Sequence, residues 1–520
     1  MSVNTDDFEY KDWKFTSKLW LICFAIMLAP FMEMLDTSIA NVSLPHMSGS
    51  FSATSDEIIW VITSYLVANG IVIPSTAWFS TIFGRKRFLM GCIVLFTVAS
   101  ALCGFANSLT TMVLARVAQG AGGGALVPIS QAILLENFPP SKRGVGMSIF
   151  GLGIVVAPII GPVLGGWITD NYTWRWIFFI NIPFGILALI LLHYVIDDPD
   201  YAQKKIPQNI DYIGFGSLIL WLTTLQIILD KGQQANWFEA GWICWLSAFS
   251  FLAMVFFIYW ELKFSDSIID LTVFKDINFF LGSVVMFFVS AILYSTLAIL
   301  PMFLQTLMGY PALDSGLTVM PRGVGAFIGM GLTGLLTDRV DVRILLFIGF
   351  ALLSFSNYWL GEVNFEIAAY NLLIPNILSG IALSFIFVPL TTVAFTTLKR
   401  EKINNGTGLF SLVRNVGGSI GTSMVATLLS RNAQRHQVYL VDNLNGNDYR
   451  FQEGLKAVTQ YYTYNSDPAA AAMMANGFIY KELVRQSSLF SYVDNFRLFG
   501  FISLVLIVSI FIFRPNHKPV

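Results

Sequence analysis

Residues 31–47 read FMEMLDTSIANVSLPHM and lie in a stretch, Leu19 to Leu44, that is apolar nearly throughout yet carries Glu33 and Asp36. About 20 apolar residues span a bilayer, so the stretch is long enough to be a transmembrane helix. A carboxylate in hydrocarbon costs at least about 2.5–3.5 kcal/mol on insertion scales, and such residues usually face a cavity or a partner. Three residues apart, the two acids share one face of the first helix. The whole chain agrees with a membrane reading. Of its 520 residues 55% are hydrophobic and only 12% charged, with a mean hydropathy of +0.66, where a soluble chain carries about 25% charged residues. The composition predicts an all-α integral membrane protein. The net charge of −1 says nothing about partners, and no nucleic-acid partner is expected.

Fourteen transmembrane helices are expected, at 19–44, 58–82, 88–106, 110–135, 145–168, 176–196, 212–229, 238–262, 279–307, 315–336, 344–360, 367–398, 406–429 and 496–513. Basic residues orient them. With the N-terminus inside, the inner segments include Arg85-Lys86-Arg87, Lys142-Arg143 and Lys399-Arg400-Lys402, whereas the short outer loops hold Arg175 and Lys231. Both termini are therefore expected inside. No cleavable signal is expected: the chain starts with a polar arm, and the first span is too long for a signal-peptide core. The four cysteines lie in apolar stretches without metal-ligand spacing and read as inert small residues. Residues 433–490, between the last two helices, form one long polar outer tract that is expected to contain some helix, either as a cap over the outer mouth or as a docking surface.

Two alignments reveal an internal repeat. Matching Gly84 after helix 2 with Asp341 after helix 10 gives an offset of 257, and matching LVPIS around Pro128 with FVPLT around Pro389 gives 261. Near-equal offsets predict two related six-helix bundles, within residues 1–200 and 276–520, with two further helices inserted in 201–275.

Four motifs narrow the reading. They are Leu35-Asp36-Thr37-Ser38-Ile39-Ala40-Asn41-Val42 with Leu44-Pro45 on helix 1, Arg116-Val-Ala-Gln119-Gly120 on helix 4, Gly153 through Pro158, Gly161-Pro162 and Gly165-Gly166 on helix 5, and Gly84-Arg85-Lys86 between helices 2 and 3. In this order, the chain resembles the major facilitator superfamily end to end, and within it the fourteen-helix drug:proton antiporters of the EmrB/QacA type. The loop 2–3 motif departs from the family pattern G-x-x-x-D-R-x-G-R-K, with Ala77, Thr81 and Ile82 replacing Gly, Asp and Arg. The Asp-centred lock of the outward-facing state is therefore in doubt in the first half. The second half keeps an Asp-Arg pair, Asp338-Arg339, where a lock could sit instead.

The resemblance implies a proton-driven exporter of hydrophobic, drug-like compounds in the inner membrane, working by alternating access with no cofactor beyond the proton gradient. It also implies an EmrA-like periplasmic adaptor and a TolC-like outer-membrane channel, for which residues 433–490 are the contact. Rivals are an exporter of a narrower substrate (a fatty acid, bile salt or siderophore) and a membrane enzyme or sensor. Against an enzyme, His46, His193, His436 and His517 are scattered, and no metal cluster or nucleophile–base pair is visible.

Site residues follow from depth. Asp36 lies eight residues from Leu44, roughly 12 Å along helix 1, and Arg116 six residues from Thr110, roughly 9 Å along helix 4. The two are expected to interact. Burial favours the neutral carboxyl and a nearby guanidinium the ionised one, so moving or hydrating the pair would swing Asp36 between states. Glu33 is expected to relay the proton or bind cationic drugs, or else to make a simple interhelical hydrogen bond. Gln119, Arg322 and Arg414 are further substrate-contact candidates, each buried Arg being expected to pair with a carboxylate or backbone carbonyls. Gly84, Arg85, Lys86, Asp338 and Arg339 are assigned to gating, the basic turn being also a topology signal for anionic lipid. Glu136 is expected to form an interfacial ion pair. Pro158, Gly161, Pro162, Gly165 and Gly166 are expected to make a tight, bent contact between the halves, or to serve ordinary packing. An aromatic central cavity would suit apolar and weakly cationic drugs.

Overall fold

The computed structural model describes residues 17–58, 60–139, 142–196, 211–264, 268–337, 339–442, 444, 448–464 and 467–513. Helices dominate, and no strand occurs among the described residues. The first six are α1 (Ser17–Phe51), α2 (Trp60–Phe83), α3 (Arg85–Phe105), α4 (Leu109–Asn137), α5 (Arg143–Asn171) and α6 (Trp176–Val195). Two follow, α7 (Tyr212–Lys231) and α8 (Gly241–Lys263). The last six are α9 (Ile277–Leu307), α10 (Leu313–Leu336), α11 (Val342–Leu360), α12 (Ala369–Thr396), α13 (Arg400–Val441) and α14 (Pro468–Leu506).

Thirteen of the described helices are long and apolar enough to cross a membrane. The expected thirteenth span, 406–429, lies inside α13, which is not among them. The polar residues Asn404, Thr407, Ser411, Arg414 and Ser423, buried among apolar ones such as Leu409 and Phe410, lower its average hydropathy. The tract at 433–490 differs more. α13 runs on to Val441, a cap helix spans Tyr449–Thr463, and α14 already starts at Pro468. Hydropathy marks where a helix meets lipid, but backbone hydrogen bonding continues through polar residues beyond it. We call the end carrying the cap helix the cap end, and the other, with Arg85 and Arg143, the basic end.

Packing follows the repeat. α1 lies along α5 and α6, and α4 along α2 and α3; in the second half α9 lies along α13, α12 along α10 and α11, and α14 along α11 and α13. The aligned residues Gly84 and Asp341 are the N-caps of α3 and α11. Gly84 has φ +84°, a conformation that suits glycine. Pro128 has no N–H and its ring crowds the carbonyl four residues back, at Gly124. There α4 divides into Leu109–Gly123 and Leu126–Asn137.

The halves meet along α5–α10, α5–α12, α2–α13 and the inner part of α4 against α13. Of the glycines that the sequence singled out on α5, Gly161 and Gly165 pack within their own half, which corrects the expected contact between halves. A Cβ on Gly161 would lie 2.5 Å from the Ser38 side chain and one on Gly165 3.1 Å from Ile39, both on α1 in the same half, while Gly166 faces open space. Ser38 also donates to the Pro158 carbonyl at 2.8 Å. On α5, Gly151 and Gly144 do reach the second half, against Met330 and Thr337. Most of the small residues closing α5–α10 sit on α10: Gly316 against Val163, Gly323 against Ile159 and Gly334 against Ser148.

Candidate functional site

Asp36, 2% exposed, is gripped by three side chains from two other helices of the first half. Arg116 of α4 donates to Oδ2 at 2.7 Å, Gln119 of α4 to Oδ1 at 2.9 Å, and Asn181 of α6 to Oδ1 at 2.6 Å. Arg116 and Gln119 are i, i+3 on one helix face, so both can reach one carboxylate. Arg116 also donates to Gln119 Oε1 at 2.8 Å and to the Val61 carbonyl at 2.9 Å, and stacks over the Tyr65 ring at 4.2 Å. Asn181 bonds Ser100 at 3.0 Å, and Ser100 donates to the Phe178 carbonyl at 2.8 Å. This is a charge-assisted network in a buried site, where such bonds are strong and a missing partner is costly; the second terminal nitrogen of Arg116 and Oδ1 of Asn181 have no hydrogen bond among the described residues. The depth reckoning from the sequence places Asp36 and Arg116 at one level, and they are in contact.

Glu33 points elsewhere. Its Oε1 accepts from Asn69 of α2 at 2.8 Å, and Asn415 of α13 donates to Asn69 at 3.4 Å. Arg414 of α13 acts on Glu33 electrostatically, and Tyr294 of α9 lies within reach of both charges. Glu33 therefore looks across the interface between the halves, while Asp36 sits inside one of them. A carboxylate buried like this needs a partner, and its Oε2 has no hydrogen bond among the described residues.

Among the other arginines, Arg116 meets the expectation of a partner and Arg322 does not. Arg322 is fully buried, and none of its guanidinium nitrogens has a hydrogen-bond partner among the described residues.

At the basic end Arg85 forms a buried ion pair with Glu136, and Lys86 donates to the His193 carbonyl at 2.7 Å. The Asp that the loop 2–3 motif lacks is thus replaced by Glu136 of α4 as counter-charge. Two bonds join the halves here: Arg143 to the Phe395 carbonyl at 2.9 Å, and Asn404 to Ser80 at 2.6 Å. Asp338 lies outside the described residues; Arg339 donates its backbone N–H to the Leu336 carbonyl at 2.9 Å. The groove at the cap end is not the expected aromatic central cavity. This groove of about 470 Å³ lies between the α9–α10 loop and the cap-end parts of α10 and α12, lined by Tyr310, Asp314, Pro321 and Tyr370 and by none of the buried charges above.

The family model of the Major Facilitator Superfamily matches residues 26–422. The chain belongs to that superfamily. Its curated relatives include the multidrug export protein EmrB of Haemophilus influenzae, 35% identical over 429 residues that cover 82% of this chain and 84% of the relative. EmrB of Escherichia coli K12 is 31% identical over 504 residues, 96% of each chain. The fatty acid resistance protein FarB of Neisseria gonorrhoeae is 33% identical over 436 residues, 84% of this chain and 85% of the relative. Among solved structures, the human organic anion transporter MFSD10 superposes with a TM-score of 0.61 at 12% identity, covering 94% of this chain and all of the other, a likeness of fold alone. As a superfamily member with thirteen apolar membrane-length helices, the chain is a multi-pass membrane protein. Several residues of this superfamily member's site were missed by the motif reading: Asn69, Asn181, Ser100, Tyr294 and Asn415. Asn69 and Asn181 carried a usable signal, since an amide within an apolar span needs an internal partner.

Proposed function

We propose that this chain is a proton-driven exporter of hydrophobic, drug-like compounds that works by alternating access. The single observation carrying the reading is the buried Asp36, held by Arg116, Gln119 and Asn181 one turn from a second acid, Glu33, that faces the other half. Protonating Asp36 removes its charge from Arg116 and frees that guanidinium to seek other partners. The bonds of α4 to α1 and α6 then rearrange, and α1 carries the change to Glu33 at the interface. Proton uptake on one side and release on the other thus biases which end is open. The likeness to EmrB relatives over most of the chain supports drug-like substrates, and we read the chain as a carrier rather than a catalyst.

The two six-helix units fall within about residues 1–200 and 276–520, with 201–275 inserted. The basic end faces the cytoplasm with both termini, and the cap end faces outward from the inner membrane. Gly84, Arg85, Lys86, Asp338 and Arg339 serve gating. Gln119, Glu33, Arg322 and Arg414 serve substrate and proton exchange. An EmrA-like adaptor and a TolC-like channel complete the export path. The proton gradient is the energy source, and no other cofactor is involved. A narrower second reading, fatty acid export, is favoured by the similarity to FarB.

The test is Asp36→Asn in proteoliposomes, with folding checked by size-exclusion chromatography. Proton-driven efflux of a hydrophobic dye is expected to fall to background while dye binding persists. Transport at the wild-type rate and pH dependence would move the coupling role to Glu33.

A further inference from the structure

The mid-membrane charges do not balance. Among the described residues, the buried carboxylates in that layer are Glu33 and Asp36, and the buried guanidiniums are Arg116, Arg322 and Arg414. Asp36 pairs with Arg116 at 2.7 Å, and Glu33 lies within the electrostatic reach of Arg414. Arg322 is left over: its guanidinium makes no hydrogen bond or ion pair among the described residues. It stands nine residues into α10 from Leu313, roughly 13 Å from the cap end of that helix. An arginine there without a partner is among the costliest placements a chain can make, and is a mark of function.

Its direction can be read from its neighbours. A Cβ on Gly325 would lie 2.1 Å from the Ile377 carbonyl oxygen and one on Gly329 2.8 Å from Ser384, so this arc of α10 packs on α12. Gly323 and Gly334 pack on Ile159 and Ser148 of α5, so the next arc meets the other half. At about 100° per residue, Arg322 projects between these two arcs. It points into the seam where α5 of one half and α12 of the other converge. Gly380 of α12 brings its backbone against the Arg322 carbonyl, where a Cβ would come within 2.0 Å. The arginine's backbone is thereby pinned while its side chain stays unpaired.

We propose that Arg322 is the anion-anchoring residue of the transport site, and that it takes the carboxylate of a lipophilic organic acid. This rests on the exporter reading above and names the class of substrate within it. A guanidinium presents a planar fork that matches a carboxylate with two parallel N–H···O bonds, and desolvation makes such a pair selective. The apolar body of the acid lies against the helix seam, and its charge neutralises the third arginine. A neutral analogue of the same shape leaves the fork unpaired, and a cationic one is repelled.

The experiment compares naphthalene-1-carboxylate, its neutral amide and naphthalene-1-methylammonium. Each is titrated calorimetrically into the full chain in nanodiscs of zwitterionic lipid, so that no lipid anion competes. The wild type is expected to bind the carboxylate about tenfold to a hundredfold more tightly than the amide. In Arg322→Gln the ratio of carboxylate to amide affinity is expected to fall towards one. Arg322→Lys, which keeps the charge but not the fork, is expected to lie between. A wild-type ratio near one, or a ratio that Arg322→Gln leaves unchanged, overturns the proposal. If Arg322→Gln is not recovered folded, the decision falls to thermal protection. Selective protection of the wild type by the carboxylate, reduced in Arg322→Lys, supports the proposal, and equal protection in both overturns it. No gradient is present in these measurements. A chain that prefers the acid yet transports nothing overturns the exporter reading alone, whereas one that transports without preferring the acid overturns this proposal alone.

Discussion

Arg116 makes its bonds to Asp36, Gln119 and the Val61 carbonyl from a side chain with no solvent exposure, so its removal strands a buried carboxylate. Breaking one member of such a pair costs about 3–5 kcal/mol, whereas replacing both by neutral groups of similar size costs less. Arg116→Leu is therefore expected to lower the thermal midpoint in detergent by several degrees or more. Adding Asp36→Asn to it should recover part of the loss, giving a coupling energy in the double-mutant cycle. Additive losses would show that the contact is not energetically coupled. Gly380 supplies a second case at this scale. Its missing side chain is what lets α12 touch the α10 backbone, and a methyl group there would overlap the Arg322 oxygen and the Ala326 nitrogen at 2.0 and 2.6 Å. Backbone cannot swing aside as a side chain can. Gly380→Ala is expected to destabilise by about 1–3 kcal/mol or more, read as a lowered melting temperature, while Gly331→Ala on α10, with open space around it, is expected to be nearly silent.

Among the helices, α7 has the clearest mechanical position. Near its cap-end terminus Thr63 of α2 donates to Asp230, and Ser423 of α13 donates to the Leu229 carbonyl at 2.7 Å. Just beyond the helix, Trp237 donates to Thr427 of α13 at 2.9 Å. One short segment of the inserted pair is therefore bonded to both halves. On the exporter reading it fastens the cap end, as Arg143 and Asn404 fasten the basic end. Hydrogen bonds contribute about 1 kcal/mol each, so removing two shifts a two-state equilibrium by roughly tenfold to thirtyfold. Thr63→Val with Trp237→Phe is expected to add a longer-distance population between spin labels at positions 60 and 431. The exposed Cys244 would be replaced by Ser in that measurement. An unchanged distance distribution would show that α7 is only a passenger.

At the scale of the whole molecule, α13 and α14 are too long for a bilayer. With 42 residues α13 extends roughly 63 Å, about twice the hydrocarbon thickness. It stays paired with α14 beyond the apolar region, where His436 and Asp494 are 2.7 Å apart. The cap helix Tyr449–Thr463 packs on α14 and buries none of its residues fully, leaving Tyr449 and Tyr461 exposed. On the proposed reading with an adaptor, this projecting hairpin is the surface that the adaptor grips. Replacing 443–466 with a flexible Gly-Ser linker is expected to abolish co-purification with an EmrA-like adaptor while drug binding stays intact. Unchanged complex formation would remove the cap helix from that role.

How much of this was legible in the sequence varies with the physics involved. Apolar length alone located thirteen of the spans, because hydrocarbon tolerates only internally bonded helices over a fixed thickness. Residue depth along helices brought Asp36 and Arg116 to one level, because rise per residue is constant. The near-equal offsets found Gly84 and Asp341, which cap corresponding helices. Azimuth was another matter. Which way Glu33 looks, which helix Gly161 and Gly165 touch, and whether Arg322 finds a partner depend on how helices from distant parts of the chain turn about their own axes. Hydropathy is an average around the helix, and it loses that angle. α13, with polar residues spread among its apolar ones, falls short on average hydropathy although it packs along α9 and α14. The Asn181–Asp36 bond and the α7 clasp join residues 145 and more apart in sequence, and only packing puts them together. The sequence determined lengths, depths and the charges to be hidden; the tertiary structure decided which of those charges would meet and left Arg322 without a described partner.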